Sequence, residues 1–263
     1  MTGRVVKVTF PGSRDASLAA RLDLPEAEPR AYALFAHCFT CSKDLFSASR
    51  ISAQLVSEGL GVLRFDFTGL GSSEGEFANT NFSSNTEDIR HAAEWLANNH
   101  GPASLLVGHS LGGAAVLSVG GDLSEVRAVA TIGAPADVAH VEGLLGGAVK
   151  EIEQQGEADV VLVGRTFRIR RQFLEDIRAN RLTDRVANIR KPVLFLHSPT
   201  DLTVGVENAG QLFQAARHPK SFVALDDADH LLTKARDGTF AARVIAAWAS
   251  RYLGSGDLPP PAP

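Results

Sequence analysis

Five short, mainly apolar runs constrain this chain more than any other feature. They are Tyr32–His37, Val62–Phe67, Ser104–Val107, Val126–Ile132 and Val193–Leu196. A strand without a polar face is buried on both sides, the mark of a parallel sheet covered by helices. Stretches of helical spacing lie between the runs. In Asp44–Glu58, for instance, Leu45, Ile51, Leu55 and Val56 can share a face. Thr86–Asn99, Ala114–Val119, Val206–Ala216 and Ala241–Tyr252 read the same way, and Ser221–Leu225 reads as a further strand. Strands alternating with helices imply crossover units, so the expected fold class is α/β with a mostly parallel central sheet. Arg4–Phe10 and Ala16–Leu24 instead alternate polar with apolar around Pro11-Gly12-Ser13. They are expected to form an antiparallel hairpin at the sheet edge.

The rhythm breaks between Ala136 and Arg190. Val141–Ile152 suggests one or two short helices, Val160–Ile169 a hairpin about Gly164, Arg170–Asn180 a basic helix and Thr183–Ile189 another short helix. This stretch is expected to be a lid insertion of about residues 136–190. One domain would then span 1–253, with its core in 1–135 and 191–253. The tail 254–263, GSGDLPPPAP, has little to bury and reads as a linker or loose end.

A chain of 263 residues with 44% hydrophobic content can bury a sizeable core. Its formal net charge of -4 argues against nucleic acid and anionic membrane surfaces as partners. No apolar run approaches the roughly 20 residues needed to span a bilayer, and Met1–Phe10 lacks the apolar core of a signal peptide. A cytoplasmic location is the plain expectation. Two cysteines, Cys38 and Cys41, are too few for a disulfide framework or a four-thiolate metal site.

The strongest chemical signal is Gly108-His109-Ser110-Leu111-Gly112, a G-x-S-x-G sequence between an apolar strand and helix-forming residues. A serine on such a sharp strand-to-helix turn is projected out of the backbone, and its neighbours must be small for strand and helix to approach. Ser110 is therefore the candidate nucleophile. A serine hydroxyl needs a base oriented by a third group. His230, in the loop after Ser221–Leu225, is the candidate base over His140, His197 and His218. Asp201, just after Val193–Leu196, is the candidate acid over Asp226, Asp227 and Asp229. Two backbone N–H groups are needed where the oxyanion develops. By position these are Leu111, after the nucleophile, and Phe39, in the loop after Tyr32–His37. No metal or organic cofactor is needed for such chemistry.

The remaining signals are weaker. Cys38-x-x-Cys41 has redox spacing, but its place in the oxyanion loop favours two small residues shaping the pocket. Gly69-Leu70-Gly71 lacks the Lys-Ser/Thr ending of a phosphate loop. Arg165, Arg168, Arg170 and Arg171 read as a solvated helix face rather than an anion contact.

His37-Cys38-Phe39, the Ser110 turn, the Asp201 segment and the Asp-His end at His230 follow in an order that resembles the α/β-hydrolase superfamily. The likeness runs from about Arg4 to Tyr252 outside the insertion. It implies the α/β-hydrolase fold and ester hydrolysis. The insertion is short and not conspicuously apolar, which favours small, soluble, short-acyl esters over long lipids. The same triad also serves peptidases, thioesterases and acyltransferases. Cys38 departs from the pattern, which usually has glycine there. The stretches AHCFTCSKD, RFDFTGLGSSEGEF, NTNFSSN and GRTFRIRRQF further resemble the bacterial hydrolase domain often fused to an OsmC-like domain. That resemblance implies an OsmC-like partner after the linker in the parent protein. The contrasting expectation is a redox-linked or partner-binding module with a vestigial hydrolase site.

Overall fold

The computed structural model describes residues 3–162 and 164–254. Its strands are β1 (Arg4–Pro11), β2 (Ser17–Leu24), β3 (Ala31–Ala36), β4 (Leu60–Phe65), β5 (Ala103–His109), β6 (Ala128–Ile132), β7 (Glu157–Leu162), β8 (Arg165–Arg170), β9 (Val193–His197) and β10 (Lys220–Ala224). Its helices are α1 (Phe46–Ser57), α2 (Phe82–Asn99), α3 (Leu111–Val119), α4 (Glu142–Leu145), α5 (Ala148–Gln155), α6 (Arg171–Ala179), α7 (Leu182–Asn188), α8 (Glu207–Ala215) and α9 (Ala235–Leu253). Of the expected tail only Gly254 is described. The rest, and with it any junction to an OsmC-like partner, lies outside the described residues.

The strands β1-β2-β4-β3-β5-β6-β9-β10 form one sheet in that order. β2 runs antiparallel to β1 and β4, and every later pair is parallel. The fold is that of an α/β hydrolase, with helices on both faces. α1 and α9 cover one face through Ile51, Leu55, Ala242 and Ile245. α2, α3, α7 and α8 cover the other through Ile89, Val116, Val186 and Leu212. The central strands are buried apart from Ala31, Tyr32 and Ser104 near their starts, which is why they read as apolar runs. β4 carries one charge into this interior. Arg64 is buried but donates through Nε to Asp23 Oδ2 on β2 at 2.7 Å, so the cation is paired.

The sequence from 138 to 179 packs onto the α2–α3 face. Val138, Val141, Ile152, Phe167, Phe173 and Ile177 join its core. β7 and β8 form the hairpin about Gly164. Here the basic cluster departs from expectation. Arg165, Arg168 and Arg170 lie on strand β8, not on a helix, and only Arg171 opens α6. The reason is period-two burial, since Phe167 and Ile169 point inward between the arginines. Arg168 pairs with Asp159 and Arg170 with Glu157, so much of the positive charge is spent within the hairpin.

Two helices start earlier than apolar spacing suggests. α2 opens at Phe82 because the Asn81 side chain accepts the Ser84 N–H at 2.8 Å, while Ser84 Oγ accepts the Asn81 N–H at 2.9 Å. α9 opens at Ala235, where its first turns are polar and carry no periodic signal. Among the described residues, no helix is long and apolar enough to cross a membrane.

Candidate active site

The carboxyl ends of β5, β9 and β10 bring three expected residues together. β5 ends at His109, and Ser110 sits at φ 54°, ψ −123° before α3 begins. A serine in that region costs on the order of 1–2 kcal/mol, and the packing around it holds it there. A Cβ at Gly112 would stand 2.3 Å from the His37 carbonyl oxygen, and one at Gly108 would stand 2.4 Å from the Gly112 carbonyl oxygen. Only glycine at both positions lets α3 approach β3 and β5 this closely. Ser110 Oγ donates to His230 Nε2 at 2.9 Å, and His230 Nδ1 donates to Asp201 Oδ2 at 2.7 Å. Asp201 Oδ1 accepts the Thr203 and Val204 N–H groups at 2.8 and 2.9 Å. Burial pushes the Asp201 carboxyl up, but the bonds from His230, Val204 and Thr203 outweigh it and hold the group below the usual carboxylate range. Asp201 is therefore ionised at neutral pH and oriented from both oxygens.

The rivals lie elsewhere. Asp229 accepts from the Thr233 N–H and hydroxyl, and Asp226 and Asp227 are exposed. His140 donates through Nε2 to the Thr203 carbonyl.

Across from Ser110 lies the loop after β3. The N–H of Phe39 has no protein acceptor among the described residues. Leu111 N–H belongs to the first turn of α3, where no helical acceptor exists. Phe39 and Leu111 line one cavity of about 10 Å3 together with His37, Cys38, Gly112 and Ala115. The Phe39 ring stacks on Phe173 at 5.6 Å between centroids and meets Phe77 at 5.7 Å, while Phe77 meets Phe167 at 4.9 Å. Phe77, together with Phe167 and Phe173 of the 138–179 segment, thus supplies an aromatic wall beside this loop.

One expectation is corrected here. Cys38 and Cys41 are not two separate small residues shaping a pocket: they form a disulfide, with Cα atoms 5.4 Å apart. A tight turn brings them together, in which Cys41 N–H donates to the Cys38 carbonyl and Thr40 adopts φ +61°. Nothing in C-x-x-C spacing alone separates this turn from an open loop.

Residues 33–243 match the Alpha/beta hydrolase family. The chain belongs to this family. The crystal structure of the esterase domain from a Rhodothermus marinus protein is 54% identical to it, with TM-score 0.79 over 95% of this chain and 100% of that chain. Est1E from Butyrivibrio proteoclasticus, seen with ferulic acid bound, is 19% identical, with TM-score 0.81 over 94% of this chain and 99% of that one. Mouse alpha/beta hydrolase domain-containing protein 10 is 23% identical, with TM-score 0.75 over 94% and 99%. For the last two the likeness is one of fold. No curated protein matches the chain.

In this alpha/beta hydrolase, several residues around the site escaped sequence reasoning. His109 Nε2 donates to the His230 carbonyl at 2.7 Å, tying the His230 loop to β5. Burial first, then the charge of His230, lowers the His109 pKa to about 4, so its ring is neutral. His197 Nε2 donates to the Val204 carbonyl at 2.7 Å and so braces the turn that faces Asp201. Behind the Phe39 loop, fully buried Asp66 accepts the Lys43 N–H and the Lys43 ammonium at 2.6 and 2.7 Å, and the Ser72 N–H at 2.9 Å. His37 Nδ1 donates to the Cys38 carbonyl at 2.8 Å. Burial lowers the His37 pKa. His109 was visible as the variable residue of G-x-S-x-G. The Lys43–Asp66 pair, 23 positions apart, left no local signal.

Proposed function

We propose that the chain is a serine esterase that cleaves small, soluble, short-acyl carboxylic esters by way of an acyl-enzyme. The Ser110–His230–Asp201 line of hydrogen bonds carries this reading, at 2.9 and 2.7 Å. Both distances suit proton transfer without rearrangement. His230 Nε2 takes the Ser110 proton as Oγ attacks the ester carbonyl. Asp201 stabilises the imidazolium that forms. The Phe39 and Leu111 N–H groups face the oxyanion, and losing one such donor typically costs about 10²–10³ in rate. The imidazolium then protonates the leaving alcohol, and water enters by the same base to clear the acyl group. The 54% identity to an esterase domain supports the choice of ester over amide. The aromatic wall at Phe77, Phe167 and Phe173 supports the choice of a small acyl group, because those rings occupy space that a long chain would need.

Replacing Ser110 by alanine is expected to lower kcat on nitrophenyl acetate by about 10⁴–10⁶ and to abolish labelling by a fluorophosphonate. Near-normal turnover in that variant overturns the mechanism. A chain-length series of nitrophenyl esters is expected to favour acetate and butyrate. A preference for long acyl chains overturns the substrate class, and faster turnover of amides or thioesters would move the assignment to a peptidase or thioesterase.

A further inference from the structure

We propose that the Cys38–Cys41 disulfide is a redox-active site, reducible by dithiols, that sets the activity of the hydrolase by holding the Phe39 N–H in place. The proposal rests on the Ser110 reading above. Its first support is position. The bridge closes a four-residue turn whose second residue is Phe39. Cross-links over so short a loop contribute least to global stability, so a local role is the better account. The second support is the backbone. Thr40 is β-branched, yet lies at φ +61°, where such residues are costly without outside constraint. The bridge supplies that constraint, and cutting it lets Thr40 return to negative φ and carries the adjoining Phe39 peptide with it.

The third support is that the loop is anchored at both ends by other means. At one end His37 Nδ1 holds the Cys38 carbonyl; at the other Lys43 is held by Asp66 through its N–H and Nζ, and the Ser72 N–H fixes that carboxylate in turn. Reduction therefore frees residues 39–42 without unfolding the sheet behind them. Access is also suitable. Cys41 is half-buried and keeps some of its surface in solvent, while Cys38 is 4% exposed. A dithiol's thiolate attacks Cys41 Sγ, the S–S bond breaks, and its electron pair leaves on Cys38 Sγ, which takes a proton from water. The second thiol of the reductant, once deprotonated, attacks its own sulfur in the mixed disulfide and releases Cys41 as a thiolate, which is protonated in turn. The pair gains two electrons and two protons, and the dithiol becomes a cyclic disulfide.

The test follows nitrophenyl acetate hydrolysis by the full chain before and after dithiothreitol, with thiols counted under native conditions, and again after reoxidation with oxidised glutathione. Two thiols are expected to appear while kcat falls at least tenfold, KM moves little, and both changes reverse. Cys41→Ser is expected to start at the reduced level and ignore dithiothreitol. If that variant does not fold, the wild-type cycle decides alone. Two thiols with unchanged kcat, or no thiols at all, overturns the proposal. Ser110→Ala in parallel separates the two readings: loss of its turnover keeps the esterase assignment standing whichever way the thiol result falls, while retained turnover removes the assignment and the proposed control with it.

Discussion

The two walls of this site are built on opposite principles. On the wall that carries Ser110, side chains hold side chains: Ser110, His230 and Asp201 are linked atom to atom, and the His109 ring also ties the His230 backbone to β5. On the facing wall, residues 37–43, the proposed mechanism needs only a backbone N–H, and its supports are a disulfide, a buried ion pair and a half-buried ring. The first wall can be damaged by chemistry alone. The second is damaged by anything that moves a peptide plane.

The sharpest way to break this contrast is Asp201→Asn. It keeps the shape of the first wall but favours the wrong tautomer of His230, and kcat is expected to fall about 10⁴-fold with the melting temperature little changed. A low-field NMR proton from His230 Nδ1 should vanish with it. Lys43→Met attacks the second wall and should do the reverse. Removing one partner of a buried pair typically costs about 3–5 kcal/mol, so urea unfolding is expected to show a large loss of stability. The low-field His230 proton should survive in the folded fraction, and its disappearance would mean that the walls are not independent.

A smaller effect is expected from acid. His109 is neutral when folded, with a pKa of about 4, and takes a proton near the ordinary imidazole value when unfolded. Between those two values the unfolded chain binds more protons, so its contribution is complete above pH 6.5 and is lost as pH falls towards 4. The full difference is roughly 3 kcal/mol. His37, pushed the same way by burial, adds to the same slope from the other wall. Denaturant unfolding at pH 7 and pH 4.5 measures the sum, and His109→Gln should flatten it. An unchanged slope in that variant would sever the link between burial and proton uptake.

The contrast also explains what could be read from sequence. Apolar runs such as Leu105–Val107 and Val193–Leu196 announce a buried parallel sheet, because burial on both faces dictates composition directly. Ser110, Asp201 and His230 stand at strand ends in an order that can be read along the chain, and the fold draws their polar atoms to hydrogen-bond distance. The opposite wall resisted reading. A backbone donor at Phe39 leaves no side-chain signature. Lys43 and Asp66 look like ordinary surface charges until the fold buries them together. The Cys38–Cys41 bond depends on a left-handed threonine that C-x-x-C does not announce. The early start of α2 was legible in principle, through Asn81 and Ser84, but apolar spacing alone passed over it.

The aromatic wall stands apart from both. Phe77 and Phe173 meet Phe39, and Phe167 meets Phe77, yet the bonds that hold Ser110, His230 and Asp201 run through β5, β9 and the loop before α9. Under the proposed esterase mechanism this separation divides what reacts from what selects. Diversity libraries aimed at new acyl groups can be confined to those three phenylalanines and the hairpin beneath them, leaving the proton-transfer apparatus untouched, and a segment borrowed from a relative could be exchanged there as a cassette.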